Sequence, residues 1–423
     1  MRFNTLDEWL SWQESLNPKE IDLGLERVAS VHHQAGYSAR FPCPLITVAG
    51  TNGKGSVIAL LEAIALAAGL NVCSYTSPHL LRYNERIRIN GNDIDDGSLC
   101  NAFERLDQAR GETALTYFEF GTLAAIDIFM RAEPDLVLME VGLGGRLDAV
   151  NIMDPDVAVV TTVDIDHTDW LGDNREAIGF EKAGIFRPDK PAICGDPEPP
   201  VTLTGHADEI GAHGHYIGQA FEVIPGRDSW SLRIGDEFLH ELPFPALAGG
   251  FQLNNAATAI MALRSLPGLD VSTEAIRKAL TQVQLKGRFE TVNEHPRVIV
   301  DVAHNPQAMR SLVMQLKNQP CLGKTIAVVA MLKDKPVSQV IELLQPEIDQ
   351  WYVAGLDPLP RAMSVEDLAA IVEQQAADVK LTAASTVGEA CKLAVDAAEA
   401  DDRIIICGSF HTVAEAMPRF AVA

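Results

Sequence analysis

From Leu45 the chain runs through an apolar stretch into Ala49-Gly-Thr-Asn-Gly-Lys-Gly55 and then a helical pattern from Ser56 to Ala68, which Gly69 ends. An apolar segment that turns on glycines straight into a helix is the opening half of a βα unit. Its strand must be covered on both faces, which limits the fold to an α/β architecture with a mostly parallel sheet. The alternation continues: Asn71–Tyr75, Leu136–Val141 and Val157–Val163 have strand character. From about His206 to Leu247 short alternating segments broken by Gly, Pro and Asp predict antiparallel hairpins, and Leu253–Leu266 is helical again.

A second alternation begins at Val298. Strands are expected at Val298–Val302, Thr325–Met331, Trp351–Ala354 and Arg403–Cys407, and helices at Pro306–Lys317, Val337–Leu344, Val365–Gln375 and Glu389–Ala400. A chain of 423 residues exceeds one ordinary core. The expected organisation is a nucleotide-binding domain over 1–285 and a smaller, doubly wound domain over 286–423, with the hinge at Gln284–Phe289.

Thirty-four basic and 58 acidic residues give a net charge of −24, a field that repels nucleic acid and anionic membrane. Neither is expected as a partner. An anionic ligand such as ATP would need local donors to overcome that field. No apolar run approaches the roughly 18–20 residues of a membrane-spanning helix, and Met1–Leu10 has no basic segment followed by an apolar one. The seven cysteines are scattered without metal-ligand or redox spacing, as in a reduced, cytoplasmic protein.

In doubly wound folds ligands sit beyond the carboxyl ends of strands. Thr51, Asn52, Gly53 and Lys54 follow the first strand in a variant of the P-loop: Val48 and Gly55 stand where the strict pattern has Gly and Ser or Thr, so Ser56 is not required as a magnesium ligand. Ser77 precedes Pro78 and is expected to be extended. Glu140 ends an apolar strand, where a carboxylate suits Mg²⁺ or, alternatively, caps a neighbouring helix. Gly142–Asp148 is glycine-rich without the full dinucleotide spacing. Asp164–Asp169 packs three acids around His167, either a solvated turn or a metal or nucleotide site. Lys182, on an expected helix, reads as surface charge. Asp301, His304 and Gly408–His411 end strands of the second alternation, and each histidine is either a satisfied loop residue or a nucleotide contact.

The stretches Ile21–Val28, TVAGTNGKGS, YTSPHLLRYNERIRING, LTYFEFGTLAA, EVGLGGRLDAVN, DHTDWLG, EKAGIF, NNAATA, KGRFE, DVAHNP and ICGSFHTVA, in order across nearly the whole chain, resemble the bacterial dihydrofolate synthase/folylpolyglutamate synthase family of the Mur ligase superfamily. The resemblance implies a P-loop ATPase domain plus a smaller Rossmann-like C-terminal domain. It implies an ATP-dependent amide ligase that adds L-glutamate to dihydropteroate and to tetrahydrofolates through an acyl phosphate. ATP would be held by Thr51, Asn52, Gly53, Lys54, Asn255, Arg288 and Asp301. Ser77 and Glu140 would bind one Mg²⁺ and His167 a second, with a monovalent cation also allowed. Lys182 would be carbamoylated. Asp22, Leu23, Thr116, Tyr117, Phe118, Glu119, Leu147, Asp148 and Ala149 would line the pterin site. Lys54, Lys182, Asp301 and His304 would carry the catalysis, in a monomer, with hinge closure excluding water. The alternatives are folylpolyglutamate synthase activity alone, another ligase of the superfamily, a P-loop switch acting on a partner protein, and a non-catalytic nucleotide-binding module. Substrate-dependent ADP release separates them.

Overall fold

A five-residue segment with almost no polar alternation needs cover on both faces, and Leu45–Ala49 (β1) is buried throughout. The computed structural model describes residues 2–19, 21–356, 359–375 and 380–420. The chain packs as two units, Met1–Ala246 with Gln252–Gln284, and Leu247–Phe251 with Leu285–Ala423.

In the first unit β1 is joined by β2 (Val72–Tyr75), β3 (Ile87–Ile89), β4 (Asn92–Asp93), β5 (Leu136–Glu140), β6 (Val157–Val160), β7 (Pro191–Cys194) and β8 (His213–Tyr216), in the order β4-β3-β2-β5-β1-β6-β7-β8. Pairing is parallel from β2 through β8, and β3 and β4 add antiparallel at one edge. The chain builds outward from β1 to one side and then to the other. The carboxyl ends of β5, β1 and β6 therefore border a crevice of the kind where α/β sheets bind ligands. Register pairs Val48 with both Glu140 and Val159, which brings the ends of β5 and β6 alongside the turn after β1.

The helix Lys54–Ala67 lies between this sheet and the helices Gln252–Arg264 and Thr273–Gln282. Being covered on all sides, it is apolar nearly all round rather than along one stripe. Trp9, Tyr75, Phe103, Phe120 and Phe129 fill the core on the other side of the sheet.

The stretch from His206 to Leu247 differs from expectation. Val201–Ile210 is a helix that buries Leu203 and Ala207, one turn apart, and Gly211 ends it in the left-handed conformation at φ 72°. His213–Tyr216 then joins the main sheet in parallel. Hairpins occupy only β9 (Phe221–Pro225), β10 (Trp230–Ile234) and β11 (Glu237–Leu242), a separate antiparallel sheet.

The second unit holds β12 (Glu290–Glu294), β13 (Arg297–Val300), β14 (Thr325–Val329), β15 (Gln350–Ala354), β16 (Lys380–Ala384) and β17 (Arg403–Cys407), in the order β12-β13-β17-β14-β15-β16. All pairs are parallel except β12 with β13. Strand β17 and the helices Val337–Leu344 and Val365–Gln375 have the bounds expected from sequence. Both edge strands, β12 and β16, escaped that expectation. Their sequences, ETVNE and KLTAA, are largely exposed or half-buried and so lack the apolar signal of a central strand. Among the described residues no helix is long and apolar enough to cross a membrane.

Candidate active site

The turn after β1 is shaped by two glycines. Gly50 sits at φ +150°, and a Cβ there would lie 1.8 Å from Thr161 Oγ1. Gly53, at φ +89°, is the left-handed N-cap of the helix and would meet Asn255 Oδ1 at 2.8 Å. The backbone between them is laced to the end of β6. Thr51 N–H donates to Thr162 O (2.7 Å), Asn52 N–H donates to Thr162 Oγ1 (3.2 Å), and Thr161 Oγ1 donates to Asn52 O (2.6 Å). The Thr51 hydroxyl both donates to Asp164 O and accepts from Asp164 N–H, each at 3.0 Å. Lys54 folds back so that Nζ donates to Gly50 O at 2.9 Å and Thr51 O at 3.3 Å. The result is a closed cradle at a helix N-terminus, with Gly53 offering no side chain to cap the first amides, which is a geometry for phosphate oxygens.

Gln252 donates through Nε2 to Ser56 Oγ at 3.3 Å and accepts from Asn255 Nδ2 at 2.9 Å. Ser56, one position past the place of the strict P-loop's magnesium-binding hydroxyl, thus has its Oγ engaged behind the loop. Glu140 supplies a carboxylate instead. It is buried, its Oε2 accepts from Ser77 N–H at 3.2 Å, and the same oxygen lies 4.0 Å from where a Cβ on Gly55 would be. Ser77 carries a hydroxyl and Glu140 a carboxylate, hard oxygen donors of the kind that suit Mg²⁺. His167 stands half-buried at the N-cap of the short helix Thr168–Leu171 in the left-handed conformation, φ 52°, with Asp166 buried and Ile165, Thr168, Asp169 and Trp170 exposed around it. Among the described residues no three His, Cys, Asp or Glu side chains form a preassembled cation cage.

Lys182 is not surface charge. It is 3% exposed, on the inner face of the helix Arg175–Ala183. The glycine run after β5 makes this possible: a Cβ on Gly145 would lie 2.8 Å from Glu181 O and 3.0 Å from Lys182 O, and Arg146 N–H donates to Glu181 O at 2.8 Å. These glycines serve close helix packing and not a dinucleotide. Burial, with the nearby Lys54 charge, lowers the Lys182 amine to about 7, against the opposing pull of Asp166 and Asp148. Asp148 is pushed up to about 6 by burial, although it accepts from Leu143 N–H (2.8 Å) and Val150 N–H (3.0 Å).

Beside these groups is a cavity of about 270 Å³, near the lower end of the roughly 300–1,000 Å³ of small-molecule sites. Asp22, Leu23, Thr116, Tyr117, Phe118, Glu119, Leu147, Asp148 and Ala149 all line it, together with Ser77 and His167. The tip of the Phe118 ring abuts Gly142, where a Cβ would lie 2.5 Å from Cζ. Sequence reasoning missed Arg86, which also lines the cavity. It donates through Nε to His79 Nδ1 at 2.8 Å and its guanidinium lies over the rings of Tyr83 (5.3 Å) and Tyr117 (5.8 Å). Nothing in Tyr83–Arg88 marks it, because the rest of the cavity it faces is brought by other segments.

In the second unit Asp301 follows β13 and is buried. Its carboxylate accepts from Phe289 N–H and Ala303 N–H, both at 2.8 Å. Burial raises its pKa, and Arg288, the backbone donors and His304 pull against that. Arg288 stands over the Phe410 ring at 5.5 Å, and His304 places its ring 6.2 Å from the same phenyl, with Nδ1 2.8 Å from Val302 O. Arg288, Asp301 and His304 therefore share one corner of this unit, at the ends of β13 and β17.

Residues 48–196 match the Mur ligase middle domain and 287–410 the Mur ligase glutamate ligase domain. The chain is 45% identical over 413 residues to the dihydrofolate synthase/folylpolyglutamate synthase of Escherichia coli (strain K12), covering 97% of this chain and 94% of that one. It is 41% identical over 428 residues to the protein of the same name from Haemophilus influenzae, covering 97% and 96%. Among solved structures, E. coli FolC in complex with DHPP and ADP superposes with a TM-score of 0.92 at 45% identity, covering 98% of this chain and 97% of that one. A bifunctional folylpolyglutamate synthase/dihydrofolate synthase with Mn, AMPPNP and L-glutamate bound gives 0.90 at 43%, covering 99% and 98%. With the Mur ligase domains matched in both units and close relatives spanning nearly its whole length, the chain belongs to the dihydrofolate synthase/folylpolyglutamate synthase family.

Proposed function

We propose that this protein is an ATP-dependent ligase that forms an amide between L-glutamate and the carboxylate of dihydropteroate, and extends the glutamate chain of tetrahydrofolates in the same way. One observation carries it: the cavity, Ser77, Glu140 and the phosphate cradle form an unbroken series of neighbours in a single unit. A carboxylate bound in the cavity is thereby delivered to the terminal phosphate of a nucleotide in the cradle. The relatives' complexes with DHPP and ADP, and with Mn, AMPPNP and L-glutamate, support the same ligand set.

Thr51, Asn52, Gly53 and Lys54 bind the ATP phosphates, with Asn255 bracing the loop, and Arg288 and Asp301 are assigned to the nucleotide from the second unit. The substrate carboxylate attacks the γ-phosphorus, the bond to the bridging oxygen breaks, and ADP leaves. The neutral amine of glutamate then attacks the acyl carbon, inorganic phosphate leaves with the electron pair, and the nitrogen gives up one proton. Lys54 offsets the charge that develops during transfer, and positioning supplies most of the rest. Ser77 and Glu140 would hold one Mg²⁺ and His167 a second, where Mg²⁺ neutralises phosphate charge when bound. His304, beside Asp301, is assigned to the catalytic corner of the second unit.

Lys182 has the chemistry for carbamoylation. An amine held at about 7 is in large part neutral at physiological pH, the form that attacks CO₂ to give a carbamate and one proton. The carbamate turns this largely neutral amine into an anion near Asp166 and Asp148. Seven unpaired cysteines accord with a reducing cytoplasm, and we take the protein to act as a monomer.

The test is ADP release by the purified protein with Mg²⁺, ATP and glutamate. Stimulation by dihydropteroate and by tetrahydrofolate is the expected result. Stimulation by tetrahydrofolate alone would remove the synthase half. Stimulation by neither would overturn the function.

A further inference from the structure

Residues 21–24 form no helix or strand, yet they supply one wall of the cavity. One tie on their backbone is Gly24 N–H, which donates to Leu147 O at 3.4 Å. The other tie is Arg27, in the first turn of the helix Glu26–Gln34. Its Nη1 lies 2.8 Å from Asp22 Oδ2, and its Nη2 donates to Asp22 O at 2.7 Å and to Glu119 Oε1 at 2.9 Å. The second oxygen of Glu119 accepts from Thr116 N–H at 2.8 Å, at the start of the opposite wall. One guanidinium thus links the 21–24 wall to the 116–119 wall without itself lining the cavity.

The charges give this link a second effect. Asp22, Glu119 and Asp148 all line the cavity, against Arg86 as the lining cation. Glu119 is buried, and Asp22 has one other cation, the exposed Lys19, at 3.2 Å. Arg27 offsets both Asp22 and Glu119 in a space that must admit an anion.

We propose that Arg27 is a positioning residue for the pteroate substrate, holding the two cavity walls in register and neutralising the acids on them. This deepens the proposed function and rests on its assignment of the cavity. Arginine is required because three acceptors at different positions are met by one planar fork, which an ammonium cannot match.

Dihydropteroate and, separately, ADP are titrated without turnover against wild type, Arg27→Met, Arg27→Lys and Arg27→Met with Asp22→Asn, alongside KM for each substrate. Arg27→Met should weaken dihydropteroate about tenfold or more, as expected for losing charged hydrogen bonds, and raise its KM while leaving ADP affinity and the KM for ATP unchanged. Arg27→Lys should recover part of the affinity, and so should Asp22→Asn in the Met background, because it removes an unneutralised charge. If wild type binds dihydropteroate and both single variants bind it equally well, or lose ADP affinity in proportion, the role of Arg27 is overturned while the function stands. If wild type binds ADP and not dihydropteroate, the cavity assignment itself falls. Should Arg27→Met not fold, Arg27→Lys decides, since full wild-type affinity there removes the need for the fork.

Discussion

The helices Lys54–Ala67 and Pro306–Asn318 each follow a parallel strand, and they begin in opposite ways. The first is preceded by Gly53, left-handed and without a side chain to cap it. The second is capped by Asn305, whose Oδ1 accepts from Ala308 N–H at 2.9 Å, and it opens with Pro306, which has no N–H to satisfy. A helix start closed by its own side chain is finished as structure. One left to glycine keeps its donors for a ligand. On the proposed assignment, the same βα arrangement serves as a binding element in the first unit and as a structural one in the second, where Asp301 and not the helix amides is assigned to the nucleotide.

The contrast can be broken most sharply at Lys54. Lys54→Ala is expected to lower kcat by about 10³-fold or more, the scale of removing a preorganised charge from transferring phosphate, with circular dichroism unchanged. Near-normal turnover would end the assignment of the cradle. Next is Gly50→Ala, which sets a Cβ 1.8 Å from Thr161 Oγ1 and displaces the loop. A shift of that kind should cost about 10²-fold in kcat/KM for ATP, read by steady-state kinetics.

Lys182 sharpens the comparison through pH. With its amine at about 7, the neutral, CO₂-reactive fraction falls about tenfold between pH 8 and pH 6. A ¹³C carbamate resonance from ¹³CO₂ should fade over that range and be missing from Lys182→Met at every pH. Linkage has the same sign. Between about 7 and the ordinary 10.5 the unfolded chain binds the extra proton, so this residue makes stability rise with pH across that window. The smallest effect is expected at the capped helix. Asn305→Ala should cost about 1 kcal/mol of stability, seen as a lower melting temperature, with turnover near wild type. A turnover loss as large as that of Lys54→Ala would erase the distinction between the two helix starts.

The strand ends assigned to the site are legible along the chain because each is a local pattern: an apolar run, then Gly, Glu140, His167 or Asp301. The same locality explains the misses. The polar edge strands Glu290–Glu294 and Lys380–Ala384 carry little core-facing signal. The last turn of the helix Val201–Ile210 and the strand after it fall within the stretch expected to form hairpins, because glycine and short alternation mark both turns and helix ends.

The sequence by itself determined the α/β class, the phosphate cradle and its departure from the strict P-loop, since period, glycine placement and residue type are properties of contiguous segments. Tertiary structure alone decided that Lys182 is buried rather than solvated, that Thr161, Thr162 and Asp164 lace the phosphate loop, and that Arg27 and Arg86 attend a cavity built from five separate segments. Burial and charge are set by what other parts of the chain place nearby, and no local pattern records that.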